Sequence, residues 1–210
     1  FAAPADWDIE VEWYSGQHGY TSGTSYTHVM MQPVVGQITD DNADGVVDAR
    51  DTPDVAYTTF SGSGYSGYGY LRVISGDGSG EHWSLYSTPC GSGTCYVQSS
   101  GGVATGDIDA DGSPDIVTLV NGGYVMALEN DGTFKWVSAS SCGYPYAAPS
   151  MHDMDADGDP EVICGGLVLD SDGTTIIDVG TPGGYFATAA DVDEDGTLEL
   201  VLGESLYELD

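Results

Sequence analysis

The chain has very few basic residues. Three lysines and arginines stand against 34 aspartates and glutamates in 210 residues, and the formal net charge is −31. Nucleic acids and anionic membranes are bound mainly through lysine and arginine, so both classes of partner are excluded. A compact fold with this charge repels itself unless the acids are spread over a solvated surface or are neutralised by cations.

Several other signals are missing. No apolar run approaches the roughly 18 residues that a membrane span requires. Helical periodicity is almost absent, there is no Asn-x-Ser/Thr glycosylation site, and no nucleophile elbow accompanies the four scattered histidines. With 34 acids, any pair of carboxylates is uninformative about acid–base catalysis. We therefore expect no enzymatic activity, although hydrophobic residues make up 40% of the chain and permit a real core.

The four cysteines favour two disulfides. Cys90 and Cys95 flank a flexible Gly-Ser-Gly-Thr segment that suits a small closed loop, and Cys142 and Cys164 would form the other pair. Free buried thiols are the alternative, and a zinc site lacks the second close pair or nearby histidine that it needs. Disulfides predict an oxidising compartment outside the cytoplasm, and the first five residues are compatible with a processed mature terminus.

Four aspartate-rich segments share one spacing of oxygen-bearing side chains. Each reads Asp-x-Asp/Asn-x-Asp-Gly-x-x-Asp/Glu, and we number its positions 1 to 9. They are loop 1 (residues 40–48), loop 2 (107–115), loop 3 (153–161) and loop 4 (191–199). Small residues precede each loop and a short apolar run of β type follows it. A second apolar run then ends, in the first three copies, at an Asp-Gly pair, which is a strong hairpin signal.

The repeats predict an all-β, propeller-like fold of about four blades, each with four short antiparallel strands. Units of four strands that recur at roughly 40 residues are typical of propeller blades. The predicted segments are an N-terminal closing strand and lead-in (1–28), blade 1 with an insertion (29–100), blade 2 (101–145), blade 3 (146–184) and an incomplete blade 4 (185–210). The alternating residues 8–14 could complete blade 4 in the same chain or in a neighbouring molecule, which would give a polymer.

The loop spacing is suited to calcium. Calcium takes six to eight oxygen ligands, and a glycine at position 6 permits the turn that returns the later ligands to the ion. Positions 1, 3, 5 and 9 offer side-chain oxygens, and position 7 offers its carbonyl. In loop 1, an additional acid at position 12 resembles the closing ligand of an EF-hand, in a β context. A solvated turn is the alternative for any single copy, and magnesium is less suited because it keeps several waters.

The predicted ligands of about four calcium ions can be given loop by loop. Loop 1 offers Asp40, Asn42, Asp44, Val46, Asp48 and Asp51. Loop 2 offers Asp107, Asp109, Asp111, Ser113 and Asp115. Loop 3 offers Asp153, Asp155, Asp157, Asp159 and Glu161. Loop 4 offers Asp191, Asp193, Asp195, Thr197 and Glu199.

Together, these loops, their small-residue lead-ins and the apolar strands after them resemble FG-GAP-type repeats over residues 29–210. FG-GAP repeats form the calcium-binding blades of integrin-α-like β-propellers, which also occur in secreted bacterial proteins. The resemblance implies that the ions lie between the first two strands of each blade. Integrin-like propellers usually have seven blades, whereas four are visible in this chain.

The expected function is that of an extracellular or cell-surface calcium-binding module with a structural or adhesive role. Its partners would be calcium, other copies of itself, or an extracellular protein or glycan. The first alternative is a self-assembling filament or surface-layer subunit joined by strand exchange. The second alternative is a polysaccharide-acting enzyme on a propeller scaffold, for which only Arg50, Arg72 and Lys135 could bind an anionic substrate.

Overall fold

The computed structural model describes residues 12–13, 19–180 and 186–208. This part of the chain contains 17 strands and no helix, as the missing helical periodicity indicates. The predicted closing strand at residues 8–14 lies outside the described residues except for Glu12 and Trp13. No helix in the described part of the chain is long and apolar enough to cross a membrane.

The strands form four main antiparallel sheets, which follow one another along the sequence. Sheet 1 contains β1 (Val34–Gly36), β2 (Asp54–Thr59), β3 (Tyr70–Ser75) and β4 (Glu81–Leu85). Sheet 2 contains β7 (Val103–Gly106), β8 (Asp115–Val120), β9 (Tyr124–Leu128) and β10 (Phe134–Ser141). Sheet 3 contains β11 (Ser150–His152), β12 (Glu161–Cys164), β13 (Leu167–Leu169) and β14 (Thr175–Asp178). Sheet 4 contains β15 (Ala187–Ala190), β16 (Glu199–Leu202) and β17 (Ser205–Tyr207).

A separate hairpin of β5 (Ser87–Cys90) and β6 (Gly93–Tyr96) fills the insertion in the first repeat. The Cys90–Cys95 disulfide closes this hairpin, and a Cys142–Cys164 disulfide joins the segment after β10 to the end of β12. Both predicted pairs are therefore confirmed.

The apolar core consists of layers between consecutive sheets. The two middle strands of sheets 1, 2 and 3 are almost completely buried, because each of these sheets contacts a neighbour. Side chains alternate between the two faces of a strand. In β8, Ile116 packs in the layer shared with sheet 1, whereas Val117 and Leu119 pack in the layer shared with sheet 3. A third layer joins Ile163 of sheet 3 to Leu200 of sheet 4.

In sheets 1 and 2, a tryptophan links the fourth strand to the hairpin turn of the next sheet. Trp83 of β4 donates its indole N–H to the carbonyl of Asn130 at 2.8 Å, and Trp136 of β10 donates to Ser171 at 2.8 Å. The turns between β9 and β10 and between β13 and β14 are the predicted Asp-Gly turns. Their glycines have positive φ and lie against the indole rings. The stacking of sheets therefore depends on turns that only glycine fits well.

We expect Gly173→Ala to destabilise the protein more than Gly180→Ala. Both glycines have positive φ (83° and 75°), so alanine costs about 1–2 kcal/mol of backbone strain at either position. At Gly173, a Cβ atom would also lie 2.7 Å from the Trp136 ring, whereas at Gly180 it meets no atom within 4 Å. Overpacking adds about 1–3 kcal/mol. Urea denaturation measures both costs, and equal values would show that the Trp136 ring does not crowd an added methyl group at Gly173.

Candidate metal centre

Loops 2, 3 and 4 each connect the first two strands of their sheet. Because the strands pair in antiparallel register, the residue before the loop lies opposite the acid at position 9, as in the pairs Gly106–Asp115, His152–Glu161 and Ala190–Glu199. The position 9 acid therefore begins the second strand. These three acids are buried, whereas most of the other loop residues are exposed.

The position 9 carboxylate is bound to the backbone of its own loop. The N–H of position 2 donates to one of its oxygens in each case: Ile108 to Asp115 at 3.1 Å, Met154 to Glu161 at 2.7 Å and Val192 to Glu199 at 2.7 Å. A hydrogen bond from the backbone fixes the orientation of a carboxylate. The second oxygen of each acid can then face the other loop side chains.

The loops share one backbone path. Position 4 has positive φ in all four loops although it is alanine or glutamate, and position 6 is a glycine with φ between 90° and 105°. In loops 2 and 4 the position 1 carboxylate accepts the N–H groups of positions 5 and 6. Non-glycine residues with positive φ are uncommon, and their recurrence at one position indicates a loop shape that the spacing itself requires.

Loops 2, 3 and 4 bring carboxylates together. In each of them, oxygens of positions 1, 3 and 9 lie within 4.8 Å of one another. The clustered acids are Asp107, Asp109 and Asp115 in loop 2; Asp153, Asp155 and Glu161 in loop 3; and Asp191, Asp193 and Glu199 in loop 4, where Asp195 of position 5 joins them. Among the described residues, Asp111 and Asp157 of position 5 lie outside these groups. The carbonyl ligands predicted at position 7 (Val46, Ser113, Asp159 and Thr197) remain predictions.

The charge within these clusters is mostly unbalanced. Burial and the nearby carboxylates of Asp155 and Asp157 raise the pKa of Glu161. In loop 2, Lys135 of β10 lies 2.6 Å from Asp109 and 3.0 Å from Asp115, and it supplies a positive charge. Loops 3 and 4 show no basic partner among the described ion pairs. The carboxylate oxygens of these clusters are hard ligands that can hold a divalent cation.

Loop 1 differs from the other three. The connection between β1 and β2 is longer than in the other sheets, so Asp48 lies away from the start of β2. Both oxygens of Asp48 accept hydrogen bonds from Arg50. Arg50 also lies 2.9 Å from Asp44. Asp51 is buried and accepts the N–H groups of Asn42 and Asp48. In the described structure the acids of loop 1 do not form one of the clusters found in loops 2 to 4.

The acid that begins the second strand of sheet 1 is Asp54, which the repeated loop spacing does not indicate. It lies opposite Gly36 and accepts the N–H groups of Ile38 and Thr39, as the position 9 acids do in the other loops. The signal that could have identified it is the apolar run directly after it. An acid precedes the corresponding run in every repeat.

We expect Glu161→Gln to stabilise the calcium-free protein at neutral pH. The folded-state pKa of Glu161 lies above its unfolded value, so its ionisation opposes folding as the pH rises through this interval. Glutamine removes that cost but also removes one cation ligand. Thermal melting in EDTA should show a higher melting temperature than wild type, and calcium should raise it less. Glu204→Gln, an exposed control, should change neither value, and a lower melting temperature of Glu161→Gln in EDTA would contradict the account.

Comparison with known structures extends the resemblance. The biofilm matrix protein Bap1 of V. cholerae superposes with a TM-score of 0.77 and 26% identity, over 90% of this chain and 31% of that chain. The exotype rhamnogalacturonan lyase YesX gives 0.54 and 18%, over 80% of this chain and 33% of that one. A rhamnogalacturonan lyase of Bacillus licheniformis gives 0.51 and 19%, over 95% and 33%. At these identities the two lyases show a likeness of fold alone.

The chain thus spans about a third of the length of each of these structures. No curated protein matches it by sequence. Residues 107–164, which hold loops 2 and 3 with the strands between them, match the profile of the FG-GAP-like repeat. The resemblance to FG-GAP-type repeats is therefore confirmed over this segment of the chain.

Proposed function

We propose that the chain is a calcium-stabilised β-propeller module with a structural or adhesive role outside the cell. The observation that carries the proposal is the recurrence of one carboxylate cluster at the same place in sheets 2, 3 and 4. Carboxylates within 4.8 Å of one another repel strongly in a partly buried site. Calcium relieves the repulsion and connects the first two strands of each sheet.

The stacking of the sheets supports a radial, blade-like arrangement. The first strands of consecutive sheets contact one another: β1 with β7, β7 with β11, and β11 with β15. Residues near these strands, including Met30, Val103, Ala148 and Phe186, line one common cavity. Sheets that radiate from a shared channel are the defining feature of a propeller.

The extracellular role is supported by two independent observations. Two disulfides are typical of oxidising compartments. The second observation is the 26% identity to a biofilm matrix protein over 90% of this chain. Both are compatible with a module outside the cell, where millimolar calcium is enough to fill even weak oxygen sites.

We expect calcium to raise the melting temperature and EDTA to lower it. At a hundredfold excess over Kd, one site adds about 2.7 kcal/mol, which for a domain of this size raises the melting temperature by about 5 °C or more. Magnesium at the same concentration should have a smaller effect because it gives up its waters reluctantly. A melting temperature that does not change between calcium and EDTA would refute the proposal.

The position of Trp13 bears on how sheet 4 obtains a fourth strand, either from its own chain or by strand exchange. Its indole N–H donates to the carbonyl of Gly76 at 2.9 Å, and the ring lies against Gly78 in the turn between β3 and β4. Trp83 and Trp136 make the same contact with the next sheet from a fourth strand. Trp13 therefore lies where the fourth strand of a preceding sheet would end, and sheet 4 contains three strands in the described residues.

The two ways of supplying that fourth strand give different particle sizes. If the segment around Trp13 completes sheet 4 of its own chain, size-exclusion chromatography with light scattering in calcium should give a monomer at all concentrations. Exchange between molecules should give a mass that grows with concentration, and Trp13→Ala should reduce it. A monodisperse monomer over a wide concentration range would contradict the filament alternative.

The enzymatic alternative has weaker support, since its basis is fold likeness to the two lyases. All three basic side chains of the chain are already paired with carboxylates: Arg50 with Asp48, Lys135 with Asp109, and Arg72 with Glu81. Arg72 is also completely buried. An acidic polysaccharide would thus meet a strongly negative surface, and we propose a role without catalysis.

A further inference from the structure

One group of metal-binding side chains lies outside loops 2 to 4 and includes an imidazole. Oxygens of Asp41 and Asp54 and a ring nitrogen of His82 lie within 4.8 Å of one another. The three residues come from loop 1, from the start of β2 and from β4. Residues far apart in the sequence are thus held together by the pairing of strands in sheet 1.

The carboxylate of Asp54 is oriented towards this group. The side chain is completely buried. Its Oδ2 accepts hydrogen bonds from the N–H groups of Ile38 (3.3 Å) and Thr39 (2.8 Å) and from the Thr39 hydroxyl (2.9 Å). Its Oδ1 accepts no hydrogen bond from the backbone and lies 2.9 Å from Nε2 of His82. One oxygen is therefore fixed by the backbone, and the other faces the imidazole, with which it forms an ion pair when the ring is protonated.

In sheet 2, a lysine side chain supplies the positive charge at the position equivalent to His82. Lys135 and His82 occupy equivalent positions, since each directly precedes the tryptophan of its fourth strand. The Lys135 ammonium lies 3.0 Å from Oδ1 of Asp115, the acid that corresponds to Asp54. Sheet 1 has an imidazole instead of the ammonium. A neutral imidazole offers a lone pair, so the positive charge at this place can come from an ion.

We propose that Asp41, Asp54 and His82 form a separate site for a divalent first-row transition metal ion such as Zn²⁺. Zinc binds imidazole and carboxylate ligands at about 2.0–2.2 Å, which places tetrahedral ligand atoms about 3.3 Å apart. Nε2 of His82 lies 2.9 Å from Asp54 and 3.6 Å from Asp41, on either side of that value. Calcium prefers oxygen ligands, so the nitrogen makes this site chemically different from loops 2 to 4.

The site is open to solvent on one side. The side chains of His82 and Asp41 are about a quarter exposed, at 24% and 25%, whereas Asp54 forms the buried floor. An ion can therefore enter without opening the core, and water can complete its coordination. The Thr39 hydroxyl lies 3.4 Å from Nε2 and is a further neutral oxygen at the rim.

Zinc titration of the calcium-saturated protein tests the proposal. Isothermal titration is done in about 1 mM calcium, which fills oxygen-only sites, and at about pH 8, because Asp54 raises the pKa of His82 and a proton would compete. We expect about one Zn²⁺ per chain and, with Co²⁺ as the probe, a visible absorption band typical of nitrogen and oxygen ligands. Absence of zinc binding, or loss of zinc binding at the calcium concentration of the titration, would overturn the proposal.

Three variants assign the site. His82→Lys copies the arrangement of sheet 2 and should fold, but it should weaken zinc binding by at least about tenfold. Asp41→Asn should also weaken zinc binding and leaves the buried carboxylate in place. His28→Asn, which removes a histidine outside the group, should bind zinc like wild type. Unchanged zinc affinity in His82→Lys or Asp41→Asn would refute the site, whereas calcium-dependent melting in all three variants tests the proposed function separately.

Discussion

The structure depends on one hydrogen bond that recurs at the start of each second strand. A buried carboxylate there accepts the backbone N–H of the second residue after the first strand. This bond ties the loop to the sheet and leaves one oxygen facing the loop's other acids. The fold thus creates the carboxylate clusters, and we propose that the cost of their mutual repulsion couples its stability to a cation.

The four repeats differ in the basic side chains that neutralise their carboxylates. Loop 1 places Arg50 between two of its acids, and sheet 2 places Lys135 against Asp115. Sheet 1 places His82 against Asp54. Loops 3 and 4 have no described basic partner. We therefore expect loops 3 and 4 to bind calcium more tightly than loop 2, where the ammonium competes with the ion.

Much of this fold follows from local sequence signals. The Asp-Gly pairs lie in the turns β3–β4, β9–β10 and β13–β14, and the apolar run after each loop forms a buried strand. The loop spacing does not reveal Asp54, because the longer connection between β1 and β2 moves the strand-starting acid away from position 9. Only the apolar run after Asp54 marks it in the sequence. His82 and Lys135 were also missed, since they reach the loops only through the pairing of the third and fourth strands. The contact of Trp13 with the turn between β3 and β4 is also long-range, so local signals do not predict it.

The central claim is that calcium lies in loops 2, 3 and 4, between the first two strands of each sheet. The most direct measurement is a crystal structure grown in calcium, with anomalous scattering used to locate the ions. The account predicts an ion in each of these loops, bound by the acids of positions 1, 3 and 9 at about 2.3–2.6 Å. Ordered loops without ions at saturating calcium would contradict it.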